Sequence, residues 1–122
     1  MPDILIVDDE PDIREMLELM LKKAGYETEC AQNGEVALEI LNKGKRFKLL
    51  VTDVVMPEMD GVTTIMEVIK KFPNMKVLAM SGGGVIPSET YLEMADKLGA
   101  CRTFAKPLNI KEFLDAVKEL VG

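Results

Sequence analysis

The run Leu49-Leu50-Val51-Thr52-Asp53 constrains the chain more than any other stretch. Apolar or β-branched residues lead straight into a carboxylate. A run so short and so uniformly apolar reads as a strand covered on both faces, as in a parallel sheet with helices on either side. Pro57 and Gly61 then exclude regular structure until a helical spacing begins at Val62. A carboxylate at the carboxyl end of such a strand lies in the crevice where open α/β sheets bind ligands. Asp53 is therefore the candidate working residue. On this stretch alone it would serve equally well as a helix N-cap or turn former.

The same pattern recurs along the chain. Ile4-Leu5-Ile6-Val7 predicts strand β1 over 4–7, and it too ends in acid, at Asp8-Asp9-Glu10. Pro11 suits the first turn of a helix, with Asp9 or Glu10 as its cap. Ile13, Met16, Leu17, Met20, Leu21 and Ala24 recur at helical spacing, predicting α1 up to Gly25. The methionines in that stripe read as core filler. Strand β2 is expected over 27–31, half polar as at a sheet edge. Asn33-Gly34 turns the chain into α2, expected over 35–41. Gly44, Lys45, Arg46 and Lys48 form a loop that reads as solvated rather than as a binding patch.

The run at 49–52 is then β3. Val62, Ile65, Met66, Ile69 and Phe72 predict α3 over 62–72, closed by Pro73. Strand β4 follows over 76–80 and leads into Ser81-Gly82-Gly83-Gly84. Pro87-Ser88 can start α4, expected over 88–98 and stopped by Gly99. A short mixed strand, β5, is expected over 101–105 and is broken by Lys106-Pro107. Ile110, Phe113, Leu114, Val117 and Leu120 predict α5 over 110–120, capped by Asn109.

Five strands alternating with five helices through short connections imply one α/β domain over 1–122, with a doubly wound parallel sheet. Right-handed crossovers favour the flavodoxin-like strand order 2-1-3-4-5, a (βα)5 fold. That order puts β2 and β5 at opposite edges. Cys30 and Cys101 would then be too far apart to bridge, which agrees with a reducing compartment.

Composition narrows the chemistry. A formal net charge of −6 argues against nucleic acid as a direct partner. No apolar run reaches membrane-spanning length and no signal peptide opens the sequence, so no membrane partner and a cytoplasmic location are expected. The chain has no histidine, which excludes His-based nucleophilic triads and His metal ligands. The cysteines, 2 in all and without a CxxC pair, signal neither a disulfide framework nor a zinc site. Chemistry here must use carboxylates, hydroxyls, lysine, backbone or a hard metal.

The strand ends supply such a set. β1 offers Asp8 and Asp9, β3 offers Asp53, β4 offers Ser81 and β5 offers Lys106. In the 2-1-3-4-5 order these groups converge on one crevice. Carboxylates packed together repel, and a divalent cation resolves the conflict. An all-oxygen set selects a hard metal, here Mg²⁺, which keeps several waters. Lys106 is a point charge suited to phosphate oxygens, and Ser81 adds a hydroxyl donor beside Gly82. Metal, ammonium and hydroxyl together clamp a transferring phosphoryl group, with Asp53 as acceptor nucleophile. Each piece alone has a plain structural reading, as a capping acid, a turn serine or a surface lysine. Their joint placement carries the inference.

These residues resemble the receiver domains of bacterial two-component response regulators. The matching features are the acidic pair Asp8-Asp9, the Asp-x-x-Met-Pro-x-Met-Asp-Gly run from Asp53 to Gly61, the hydroxyl of Ser81 after β4, and Lys106-Pro107 after β5. The resemblance spans essentially the whole chain. It implies that Asp53 is phosphorylated by the phosphohistidine of a sensor histidine kinase. It implies Mg²⁺ held by Asp9, Asp53 and the backbone carbonyl of Val55, with Asp8 acting through water, and a cis bond before Pro107. It also implies a switch in which Ser81 moves toward the phosphoryl group and Phe104 turns inward, repacking the α4-β5-α5 face for a downstream target or effector domain. A homodimer through that face is compatible with this picture.

Some positions depart from the family pattern. The segment between Ser81 and Lys106 is a few residues longer than usual, near 82–87. Phe104 lacks a tyrosine's hydroxyl. Val55 offers no polar side chain to hold an attacking water, so slow loss of phosphate is expected. A phosphatase using Asp53 as a transient nucleophile would want a second acid two residues on, where Val55 stands. An inert receiver-like module would normally have lost an acid or the lysine, and none is lost. A flavodoxin-type FMN site would need a Ser/Thr-rich loop after β1.

Overall fold

The computed structural model describes residues 3–54, 61–81, 99, 101–106 and 108–121. The strands are β1 (Ile4–Val7), β2 (Thr28–Ala31), β3 (Leu49–Asp53), β4 (Lys76–Ser81) and β5 (Arg102–Ala105). The helices are α1 (Pro11–Lys23), α2 (Gly34–Asn42), α3 (Gly61–Lys71) and α5 (Ile110–Val121). The expected α4, the loop at 82–87, Val55 and Pro107 lie outside the described residues. The sheet has five strands in the order β2-β1-β3-β4-β5, and every pairing is parallel. This is the doubly wound, flavodoxin-like arrangement expected from the alternation of elements.

The continuous apolar runs follow from helices on both faces. Along β1, Leu5 and Val7 join a core with Leu50, Val77 and Ala79 under Ala37, Leu38 and Leu41 of α2 and Ile65 and Val68 of α3. The alternate residues Ile4 and Ile6 join Leu49, Val51, Leu78 and Met80 under Leu17 and Leu21 of α1 and Phe113, Ala116 and Val117 of α5. Successive side chains on a strand point to opposite faces, so a strand covered twice is apolar at nearly every position short of its carboxyl end. Burial of each such leucine or isoleucine contributes about 2 kcal/mol.

Element ends differ from expectation in small, explicable ways. Gly61 begins α3 rather than delaying it, since the first turn of a helix has no internal N–H partners to lose. Asn33 is the N-cap of α2, its Oδ1 accepting from the Val36 N–H at 2.8 Å. The N-cap of α1 is Glu10, but its side chain makes no capping bond. The carboxylate of Asp8 instead accepts the Glu10 N–H at 2.9 Å, and Pro11 has no N–H to satisfy. Asn109 caps α5 as expected, accepting the Glu112 N–H at 3.0 Å. Cys30 and Cys101 are both free, one on β2 and the other just before β5, at opposite edges of the sheet. Among the described residues no helix is long and apolar enough to cross a membrane.

Candidate functional site

The crevice is built by strand register. Val7 pairs with Thr52, Asp53 with Met80, and Ser81 with Ala105. Asp8, Asp53, Ser81 and Lys106 therefore stand level at the carboxyl edge, each at or one residue beyond the end of its strand. Backbone bonds lock this alignment. The Lys106 N–H donates to the Ser81 carbonyl at 2.8 Å, and the Val54 N–H donates to the Met80 carbonyl at 2.9 Å.

Lys106 reaches back over the sheet edge. Its Nζ donates to Asp53 Oδ2 and to Asp8 Oδ2, each at 2.9 Å, and lies 3.8 Å from Glu10 Oε1. Asp8 and Ser81 are fully buried and Asp53 nearly so. Burial alone would lower the Lys106 pKa, but its hydrogen bonds to Asp8 and Asp53 and the charge of both carboxylates outweigh it, and the net shift is upward.

The carboxylates of Asp8, Asp9, Glu10 and Asp53 each present an oxygen within 4.8 Å of all the others. Asp8 and Asp53 are buried while Asp9 and Glu10 face solvent, so the cluster is open on one side. These donors fit a hard, oxygen-seeking cation such as Mg²⁺. They are all oxygens, they are close enough to share one ion, and their combined charge exceeds that of the single ammonium among them.

The structure thus brings together Asp8, Asp9, Asp53 and Lys106 and places Ser81 at the adjoining strand end. Phe104, half-buried on β5, packs edge-on against Phe113 of α5 with ring centroids 6.1 Å apart, and the Arg102 guanidinium lies 5.4 Å above its ring. Two participants escaped the sequence reading. Glu10, the N-cap residue of α1, also belongs to the acidic cluster. Arg14, on the first turns of α1, donates from Nη1 to the Asp8 carbonyl at 2.6 Å and so ties the β1–α1 turn to the helix. The signal for Arg14 was its position on the helical turn facing back over the acidic pair.

A parallel five-stranded sheet with an acidic cluster and a lysine at its carboxyl edge defines a class of phosphorylation-switched signalling domains. The profile for response regulator receiver domains matches residues 4–118, and the chain belongs to this family of two-component response regulator receivers. Among curated proteins it is similar to sporulation initiation phosphotransferase F of Bacillus subtilis, 40% identical over 118 residues that cover 95% of this chain and 90% of that one. It is also similar to the response regulator receiver protein CpdR of Brucella abortus, 29% identical over 99% of this chain and 98% of the other. Among solved structures it resembles the response regulator TrrA of Thermotoga maritima in complex with Mg²⁺-BeF. That likeness has a TM-score of 0.85 and 33% identity, covering 98% of this chain and 99% of that one.

Proposed function

We propose that Asp53 is the phosphoacceptor of this receiver and that a sensor histidine kinase is its donor. One observation carries the reading: the Lys106 ammonium, from the far end of the chain, sits 2.9 Å from Asp53 Oδ2 at the carboxyl edge of the sheet. A carboxylate oxygen of Asp53 attacks phosphorus as the N–P bond of a phosphohistidine breaks, and the electron pair returns to the imidazole. Lys106 would pass its hydrogen bond from the Asp53 carboxylate to a phosphoryl oxygen. The Ser81 hydroxyl, one strand over, would donate to another.

Asp9, Asp53 and the Val55 backbone carbonyl would hold Mg²⁺, with Asp8 behind a bound water. The ion would supply charge neutralisation for the transferring group. The Mg²⁺-BeF complex of TrrA supports a metal and a phosphoryl-like group in this kind of site. Phosphorylation would draw Ser81 toward the phosphoryl group, and Phe104 would turn inward after it. Phe104 stands two residues before Lys106 and packs against Phe113 of α5, so its repacking would be read on the α4-β5-α5 face by a downstream protein or effector domain, or by a second copy. We assign the working location as cytoplasmic. On this reading the chain is no turnover enzyme. Its own chemistry is limited to accepting the phosphoryl group and losing it slowly.

The test is incubation with acetyl phosphate and Mg²⁺ followed by intact mass. A gain of one phosphoryl group in the wild type and none in Asp53→Asn is expected. No gain in the wild type would sink the reading, and release of many equivalents of phosphate would favour the phosphatase.

A further inference from the structure

A second concavity lies at the opposite end of the sheet, where β3 and β4 begin. Its volume is about 340 Å³. Leu41, Phe47 and Met75, all buried, contribute its apolar lining. Phe72, Arg46 and Lys71 complete the wall around them.

Arg46 is held in place by three contacts. Its Nη1 donates to the carbonyls of Leu41 and Lys45, both at 2.9 Å, and its guanidinium lies 4.7 Å from the centre of the Phe72 ring. Arginine carries five donors in a rigid fork, and the bonds to carbonyls use those of one nitrogen. Nε and Nη2 have no acceptor among the described residues. Lys71 pairs with Glu67 one turn back on α3, at 3.2 Å, and stays half exposed. Basic residues at helix C-termini usually just complement the helix dipole. Here the cap needs only Nη1, whereas the guanidinium has also been fixed against an aromatic wall beside a lysine and an apolar recess.

We propose that this cavity binds a small organic anion, a single carboxylate or phosphate group on an apolar body. The acid group would meet Arg46 and Lys71, and the body would lie over Phe47, Phe72 and Met75. The volume is that of a small ligand pocket. Charge and apolar surface are arranged as such a molecule requires, and a fixed fork loses little freedom on binding. The loop that reads as merely solvated in the sequence is thus one wall of a site.

The probe is benzoate, titrated into the ¹⁵N-labelled full chain without Mg²⁺ and followed by amide chemical shifts. Benzyl alcohol is the uncharged counterpart. Saturable shifts are expected at 41–48 and 71–76, with benzyl alcohol binding about tenfold more weakly or worse, as loss of a charge-assisted hydrogen bond implies. Lys71→Gln and Arg46→Gln should each weaken benzoate by about the same factor. Arg46→Gln also removes a cap and can fail to fold, but Lys71→Gln touches only the Glu67 pair. Asp53→Asn should bind benzoate like the wild type, which separates this site from the phosphoacceptor. The proposal is overturned by shifts scattered over exposed lysines without saturation. Equal binding of alcohol and acid, or no loss in Lys71→Gln, would overturn it as well.

Discussion

Lys106 and Asp53 stand 53 positions apart in the chain, yet ammonium and carboxylate meet at 2.9 Å. The same nitrogen also holds Asp8 at 2.9 Å. Two buried carboxylates therefore depend on one cation that is itself largely shielded, with 14% of its side chain exposed.

Removing that cation should be costly. Lys106→Met leaves Asp8 and Asp53 buried without their shared partner, a loss of about 3 kcal/mol. Urea unfolding in EDTA should show it, and millimolar Mg²⁺ should restore part of it, because one cation substitutes for another. A variant as stable as the wild type in EDTA would mean that the carboxylates do not need the ammonium.

Alkaline pH should reproduce the loss gradually. Lys106 is raised above its ordinary 10.5 in the folded chain. An amine with a raised folded pKa makes its full contribution below the unfolded value and loses it as pH climbs through the folded one. The stability gap between wild type and Lys106→Met, measured without Mg²⁺, should stay constant up to about pH 10 and narrow above it. A gap that stays constant to pH 12 would contradict this assignment.

The two thiols should differ in reactivity. Burial, the charge of Glu18 and a hydrogen bond to its Oε2 at 3.4 Å push the Cys30 thiol up to about 11. Cys101 is exposed. Limited alkylation with iodoacetamide at neutral pH, read by peptide mass, should label Cys101 first. Labelling of Cys30 should accelerate steeply as pH approaches 11. Equal labelling at neutral pH would show that the β2 edge opens far more readily than its packing implies.

Phosphate lifetime should respond to Val55. A valine side chain cannot hydrogen-bond an attacking water, and an asparagine can orient one. Val55→Asn should shorten the half-life of the phosphorylated chain severalfold. An unchanged or longer half-life would remove the explanation offered for slow dephosphorylation.

Much of this was legible in the sequence because the sheet is covered on both faces. Ile4–Val7 and Leu49–Asp53 have no polar alternation to confuse the reading, and their ends are marked by acids. Asp53 stood out because it ends an apolar strand at the edge where ligands bind, and Lys106 because, with Pro107, it closes the short mixed β5 at the same edge. Arg14 and Glu10 did not, since both lie among the charged residues at the start of α1. Their roles arise only when the turn after β1 folds back on that helix. The start of α3 at Gly61 was hidden for a local reason, because glycine signals a turn and a helix's first residue alike. Arg46 was hidden by its neighbours, as one cation in a basic loop until Phe72 is packed beneath it.

The placement of α5 has a consequence for how the chain is made. Phe113, Ala116 and Val117 close the core over Ile4, Ile6, Leu49, Val51 and Leu78. A nascent chain that has not yet released α5 would have this face of the sheet covered by α1 alone, leaving an adhesive apolar surface of the kind chaperones hold. Lys106 leaves the ribosome only just ahead of this closing helix. The charge balance at the rim and the seal over this face of the sheet thus arrive together, and a chain stopped before α5 has neither.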